Sequence, residues 1–284
     1  MVLIADSGSS KTDWRVMKEG AGYGKFKTPG LNPFYMNQQE IGLELKKGMP
    51  PDFPSDEIQE IYFYGAGCST QEKKQILYEG IKMVFPNTGM EIFSDIIGAA
   101  RALFKNTAGL VVILGTGTNT ASYDGENIIR QIPALGYILG DEGSGAYFGK
   151  ELIVAYLNNK LPQSLYKKFI NRYEYSVEEI KHSVYKQQRP NRFLASFAGF
   201  LSDNMEDPFV HGLIYNGFKK LFENQICRID GWDKLRIRFT GSVAFYFQSI
   251  LSEVASEFGT SIDKILKSPI EELLSFHAEQ FRQG

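Results

Sequence analysis

Cysteine is nearly missing from this 284-residue chain: Cys68 and Cys227 are the only two, and they lie far apart. They supply neither a disulfide framework nor a CxxC metal knuckle. Histidine is almost as scarce, and His182, His211 and His277 share no metal-ligand spacing. No apolar run approaches the ~18–20 residues of a membrane-crossing helix; the longest, such as Leu110–Leu114, are of strand length. The N-terminus, Val2-Leu3-Ile4-Ala5 and then Asp6, has no basic flank and no long apolar stretch. No signal peptide and no membrane partner are therefore expected, and a cytoplasmic location is. Charge of one sign is lacking too, with 31 basic against 33 acidic side chains and a net −2. A nucleic-acid binder ordinarily carries a basic face, so nucleic acid is not expected as a partner. The lysine pairs at 46–47, 73–74, 167–168 and 219–220 read as solvated helix faces.

Glycine, in contrast, is plentiful, at 28 residues, and several glycines follow apolar runs. Val2–Ala5, Trp14–Met17, Ile61–Tyr64, Glu91–Phe93 and Leu110–Leu114 read as strands, the last apolar enough to be covered on both faces. Gln71–Phe85 and Ile96–Phe104 read as helices. Beyond Asp141 the pattern turns helical over Gly145–Asn158, Ser176–Gln187, Arg192–Asp203, Pro208–Arg228 and Ser242–Phe258, with one strand at Leu235–Phe239. Ser176-Val-Glu-Glu179 and Ser268-Pro-Ile-Glu271 have the form of capping boxes. Length suits one large domain or two smaller ones. A long-range echo favours two: Ser7-Gly8-Ser9 and Thr116-Gly117-Thr118 each follow a strand and precede another, with Glu19-Gly20 and Asp124-Gly125 as matching hairpin turns.

Three small-residue turns follow three apolar strands. Asp6-Ser-Gly-Ser-Ser-Lys-Thr-Asp13 joins a strand-end acid to a turn whose backbone N–H groups can face phosphate oxygens. Gly115-Thr-Gly-Thr-Asn119 can clamp a second phosphate, and Thr240-Gly241-Ser242-Val243 can meet a nucleotide or simply cap a helix. None is a P-loop, which needs adjacent Gly-Lys and an upstream glycine, and no segment fits G-x-G-x-x-G. Asp95, between a strand and a helix, is either a cap or a general base. Gly140-Asp-Glu-Gly-Ser144 places two acids in one tight turn, where capping needs only one. Asn32 is a loop amide before Pro33.

In this order, these segments resemble the N-acetylglucosamine kinase and BadF/BadG-type ATPase family, of the actin, sugar-kinase and Hsp70 superfamily. Asp6–Asp13 resembles its first phosphate motif, Gly115–Asn119 the second and Thr240–Val243 the adenosine motif. Gly30-Leu-Asn32 is similar to the sugar-contacting loop, Ser94–Gly98 to the catalytic-aspartate turn and Gly140–Ser144 to the segment whose aspartate meets sugar hydroxyls. The resemblance implies an α/β fold of two ribonuclease-H-like domains with a nucleotide cleft between them. These would cover residues 1–106, with the helix 269–284 packed on the first domain, and 107–268.

It further implies ATP and Mg²⁺ as cofactors, with Asp6 positioning Mg²⁺ through water and Asp95 as general base towards a sugar 6-hydroxyl. Asn32, Asn119 and Asp141 would hold the sugar. Gly8, Ser9, Ser10, Lys11 and Thr12 would meet the transferring phosphate, Gly115, Thr116, Gly117 and Thr118 the rest of the chain, and Gly241 and Ser242 the adenosine. A homodimer is implied by the family alone. Departures exist: Ser7, Ser9 and Ser10 stand where relatives are richer in glycine, and Leu135-Gly-Tyr137 stands where the vertebrate-type enzyme has a tryptophan near the sugar. N-acetylglucosamine is thus the first expected substrate, with glucosamine, N-acetylmuramate and glucose as alternatives. A partner-activating ATPase or a nucleotide-binding regulator is the reading from another class.

Overall fold

Apolar alternation and hairpin turns build the first sheet. The computed structural model describes residues 1–283 and contains two five-stranded sheets. The first comprises β1 (Val2–Ser7), β2 (Lys11–Lys18), β3 (Ala21–Pro29), β4 (Glu60–Gly65) and β5 (Gly89–Ser94), in the order β3-β2-β1-β4-β5. Glu19 and Gly20, both at positive φ, turn β2 into β3. β1 pairs antiparallel with β2 and parallel with β4, and β4 is parallel to β5. The second sheet comprises β6 (Gly109–Leu114), β7 (Thr118–Tyr123), β8 (Ile128–Gln131), β9 (Ile237–Thr240) and β10 (Ile262–Leu266). Its order, β10-β9-β6-β7-β8, is that of the first sheet with each strand replaced by its counterpart. The echo between Ser7–Ser9 and Thr116–Thr118 is therefore a repeat of a whole sheet.

The helices are α1 (Gln38–Gly48), α2 (Gln71–Lys82), α3 (Asp95–Phe104), α4 (Gly136–Leu139), α5 (Gly145–Leu157), α6 (Gln163–Arg172) and α7 (Val177–Tyr185). They continue as α8 (Pro190–Ala195), α9 (Ala198–Ser202), α10 (Pro208–Asn224), α11 (Ser242–Tyr246), α12 (Gln248–Glu257) and α13 (Ile270–Gln283). By contacts the chain forms two compact units. One holds Met1–Ala108, the hairpin tip Tyr123–Ile128 and α13; the other holds Gly109–Ser122 and Ile129–Lys267. In the first unit Trp14 stacks on Phe26, with ring centroids 5.3 Å apart, and both join Phe63 and Phe85 in the core. In the second, Phe148, Phe218 and Phe247 pack edge-on around the inner face of α5.

Several local expectations need correction. Ser176 and Glu179 do form a capping box. Ser268 does not: α13 begins at Ile270, and the Ser268 hydroxyl is buried without a hydrogen-bond partner. The expected single helices at Arg192–Asp203 and Ser242–Phe258 are each broken in two, the second at Phe247, whose ring is buried. β3, β8, β10, α1 and α6 arise where no element was expected. β3 and β8 are largely exposed edge strands without the apolar alternation that marks a half-buried strand.

α13 packs on α3, β1 and β2 and carries a buried histidine. Arg101 Nη1 donates to Tyr64 Oη (2.8 Å), and Tyr64 Oη lies 2.8 Å from His277 Nε2. Tyr64 thus donates onward, and His277 accepts in its neutral form. Burial first, then the Arg101 charge, lowers the His277 pKa from 6.5 to about 4. The unfolded chain takes this proton near pH 6.5 and the folded chain only near 4. This part of the stability is therefore complete above pH 6.5 and is lost as pH falls towards 4. Between pH 7 and pH 5 the group is expected to remove about 2 kcal/mol. A His277→Gln chain, compared by urea midpoint at both pH values, should lack that portion of the loss; an equal loss in both chains would refute the assignment.

Candidate functional site

Two groups of sequence-predicted residues assemble, one in each unit. In the first unit the parallel strands β1, β4 and β5 end side by side, with Ser7 in register with Gly65 and Gly65 with Ser94. Asp6 is the penultimate residue of β1 and Asp95 opens α3 directly after β5, so both carboxylates stand near one rim, about 10 Å apart by strand spacing. The carboxyl rim of parallel strands is where open α/β sheets bind ligands. Asp13, in register with Asp6 on β2, adds a third acid. Burial first, then Asp13 and Asp95, push the Asp6 pKa up to about 7 against the opposing charge of Lys11. That crowding of negative charge invites a cation. Among the described residues no three His, Cys, Asp or Glu side chains form a metal cage. One or two carboxylates do fit a Mg²⁺ ion that keeps its waters and completes its shell on phosphate.

The turn after β1 is tied internally. Gly8 N donates to Lys11 O (3.0 Å), and the Ser7 and Thr12 hydroxyls lie 2.8 Å apart. Leu31 N reaches both hydroxyls, and Thr12 Oγ1 also donates to Pro29 O (3.2 Å). Thr12 is fully buried, so its hydroxyl shapes the turn from within. Gly8 and Lys11 are exposed, and Ser9 and Ser10 are half-buried. Lys11 Nζ rests on Asp13 Oδ2 at 2.5 Å, and Lys27 approaches the other oxygen at 3.5 Å. Asp13 is not among the residues the sequence singles out as a site, although its strand position opposite Asp6 follows from the Gly8 turn that joins β1 to β2. Asn32 is buried, and its Oδ1 accepts from Phe34 N (2.9 Å), forming the simple turn that sequence left open. Cys68, behind this rim, is buried, and burial first, then Asp95, pushes its thiol up to about 12.

In the second unit β6 and β9 run parallel, so the Gly115 turn and the Gly241 turn emerge together. Gly241 sits at φ +118, and a Cβ there would lie 2.1 Å from Leu114 O. Only glycine allows this approach. Gly241 itself is the N-cap of α11, and Ser242 is its first, exposed residue rather than the cap. Gly115 O and Thr116 O accept from the first amides of α5, Gly145 N (2.9 Å) and Ala146 N (3.1 Å). A Cβ on Gly117 would meet Asp141 Oδ2 at 3.0 Å, so this glycine lets Asp141 lie against the turn.

Thr118 N donates to Asp141 Oδ1 (3.3 Å) and Thr118 Oγ1 to Glu142 O (2.8 Å). Asn119 Oδ1 accepts from Gln131 Nε2 (2.8 Å). Burial raises the Asp141 pKa, opposed by the Thr118 amide, with Glu142 raising and Lys150 lowering it further. The two acids of Gly140–Ser144 divide their work. Ser144 caps α5, and Glu142 accepts from Asn224 and Gln225 on the far side of the turn. Asp141 alone keeps to the glycine turn.

No protein-family model matches the chain, and no curated protein does. Among solved structures it is similar to a candidate N-acetylglucosamine kinase of Porphyromonas gingivalis, with 39% identity over 98% of this chain and 99% of that one, and a TM-score of 0.93. A candidate N-acetylglucosamine kinase of Chromobacterium violaceum is similar at 14% identity over 97% and 98% of the two chains, with a TM-score of 0.73. A ROK-family glucokinase of Streptomyces griseus, solved with glucose and AMPPNP, matches at 12% identity over 100% and 99%, with a TM-score of 0.58. The last two share the fold alone.

Proposed function

The chain belongs to the N-acetylglucosamine kinase-like family, ATP-dependent sugar kinases of the actin-like ATPase fold, and from that premise we propose that it transfers the terminal phosphoryl group of ATP to the 6-hydroxyl of an amino sugar. N-acetylglucosamine is the first candidate. The observation that carries this reading is the placing of Asp6 and Asp95 on one strand rim, where the Asp95 charge helps to raise the Asp6 pKa. Phosphoryl transfer needs positioning, charge neutralisation and a base for the acceptor hydroxyl. Asp95 is that base, and Asn32, Asn119 and Asp141 hold the sugar hydroxyls.

Gly8, Ser9, Ser10 and Lys11 meet the transferring phosphate, while Thr12 shapes the turn beneath them. Gly115, Thr116, Gly117 and Thr118 flank the remaining phosphates, and Gly241 and Ser242 the adenosine. Mg²⁺, held by Asp6 through water, would neutralise phosphate charge. Lys11 is exposed enough to exchange its Asp13 contact for a phosphate oxygen. A coupled ADP-release assay over N-acetylglucosamine, glucosamine, N-acetylmuramate and glucose tests the reading. Turnover is expected with N-acetylglucosamine, and ADP release that ignores all four sugars would overturn it.

A further inference from the structure

α4 has no buried residue at all, and Leu135, Ile138 and Leu139 around it are 57, 69 and 75% exposed. Gly136, at φ +75, opens it, and after Gly140 the chain enters Asp141 at φ 58, a backbone region that non-glycine residues seldom occupy. Apolar packing therefore does not set where this loop carries the Asp141 carboxylate. Polar contacts do so: on the Asp141 side Ser144 N to Asp141 O (3.0 Å), Thr118 N to Asp141 Oδ1 and the Glu142 contacts, and on the α4 side Gly140 N to Gly136 O (2.9 Å) and Lys150 Nζ to Tyr137 O (3.4 Å). Among the described residues, only the last joins α4 itself to a long helix.

Lys150 is well placed for that task. It lies midway along α5, whose start is capped by Ser144 and whose inner face buries Phe148 and Leu152. Its ammonium sits 5.2 Å from the centroid of the Tyr147 ring, one turn earlier on the same helix face. Tyr147 is itself held, because its hydroxyl accepts from Lys220 Nζ (3.1 Å) on α10. The Lys150 charge also favours an ionised Asp141, against burial and Glu142.

We infer that Lys150 is a positioning residue for sugar binding, tying the α4 turn to α5 and so fixing Asp141 for its ligand. This rests on the reading of Asp141 as a sugar ligand. Lys150→Met keeps the stem and removes the ammonium, and Lys150→Arg restores a charged donor. With N-acetylglucosamine the Met variant should raise the sugar KM roughly tenfold, equivalent to about 1.4 kcal/mol. Its kcat and its KM for ATP should stay near wild type, and Arg should recover most of the loss. Without any sugar, amide exchange over residues 136–141 of the full chain should quicken in the Met variant while α5 stays protected.

Asp141→Asn separates this inference from the reading beneath it. If Asp141→Asn raises the sugar KM while Lys150→Met alters neither KM nor exchange, the positioning role is refuted and the sugar reading stands. If Asp141→Asn leaves the sugar KM unchanged, the sugar reading fails and the inference with it, even where exchange shows that Lys150 tethers the loop.

Discussion

An Asp95→Asn enzyme is expected to lose roughly 10²–10⁴-fold in kcat, the usual size of a general-base contribution. The amide is isosteric and keeps its place at the first residue of α3, with Ser94 still the N-cap. What disappears is the basicity towards the acceptor hydroxyl. Stability should change little: at this half-buried helix start the carboxylate contributes about 1 kcal/mol through the helix dipole, and its loss also removes the repulsion with Asp6. A second effect separates this from general damage. Asp95 is one of the charges that raise the Asp6 pKa, so its neutralisation should let Asp6 ionise more readily. The expected signature is therefore a large fall in kcat with an unchanged thermal midpoint and no loss of nucleotide affinity. An Asp95→Asn chain as fast as wild type in the ADP-release assay would remove the general base from the proposal.

Gly241→Ala should be the most damaging single-methyl substitution at the second group of turns. The added Cβ would fall 2.1 Å from Leu114 O and 2.6 Å from Leu114 C, both backbone atoms of the central strand β6. The φ of +118 is closed to alanine as well. Neither neighbour is a flexible side-chain tip, so relief must come from moving β6 against β9, which are paired in the same sheet. Clash and backbone strain together are expected to destabilise by about 3 kcal/mol or more, a fall in Tm of roughly 6–12 °C for a domain of this size.

Because Leu114 leads into Gly115, the same displacement should weaken ATP binding. Gly115→Ala is the control: a Cβ there meets nothing within 4 Å, so stability should hold while any nucleotide contact at that turn is tested alone. Calorimetry and nucleotide titration of both variants check the pair. A Gly241→Ala chain that melts with wild type would defeat the steric argument.

The legible parts of the fold were those with strong local signals. Leu110–Leu114 announced itself as a covered strand, and it is the centre of the second sheet. Ser176 and Glu179 read as a capping box and form one. Weakly patterned pieces stayed hidden: β3, Ala21–Pro29, buries only Phe26 and Thr28, and its place is fixed by pairing with β2. Ser268 shows the opposite failure. Its spacing to Glu271 is right for a cap, yet the helix starts two residues later, with Leu273 N donating to Pro269 O.

At the candidate site, sequence picked out the turns and the strand-end acids, because small residues after apolar strands are rare enough to notice. Sequence alone determined that this chain repeats a strand–turn–strand pattern, that Asp6 closes a strand, that Asp95 stands between a strand and a helix, and that Asp141 lies in a glycine turn. Which atoms remain available there was decided only by the tertiary structure. Thr12 looks like a phosphate ligand by position, but pairing of β1 with β2 buries its hydroxyl against Ser7, Pro29 and Leu31. Glu142 and Asp141 are neighbours with the same chemistry, and only the packing of α10 draws one away and leaves the other on the glycine turn. Asp13 and Lys150 act on the site from strand register and helix face, distances of several residues in sequence that become contacts only on folding. Residue type and local order set the chemistry on offer; long-range pairing, which no short window contains, selects which groups face a ligand.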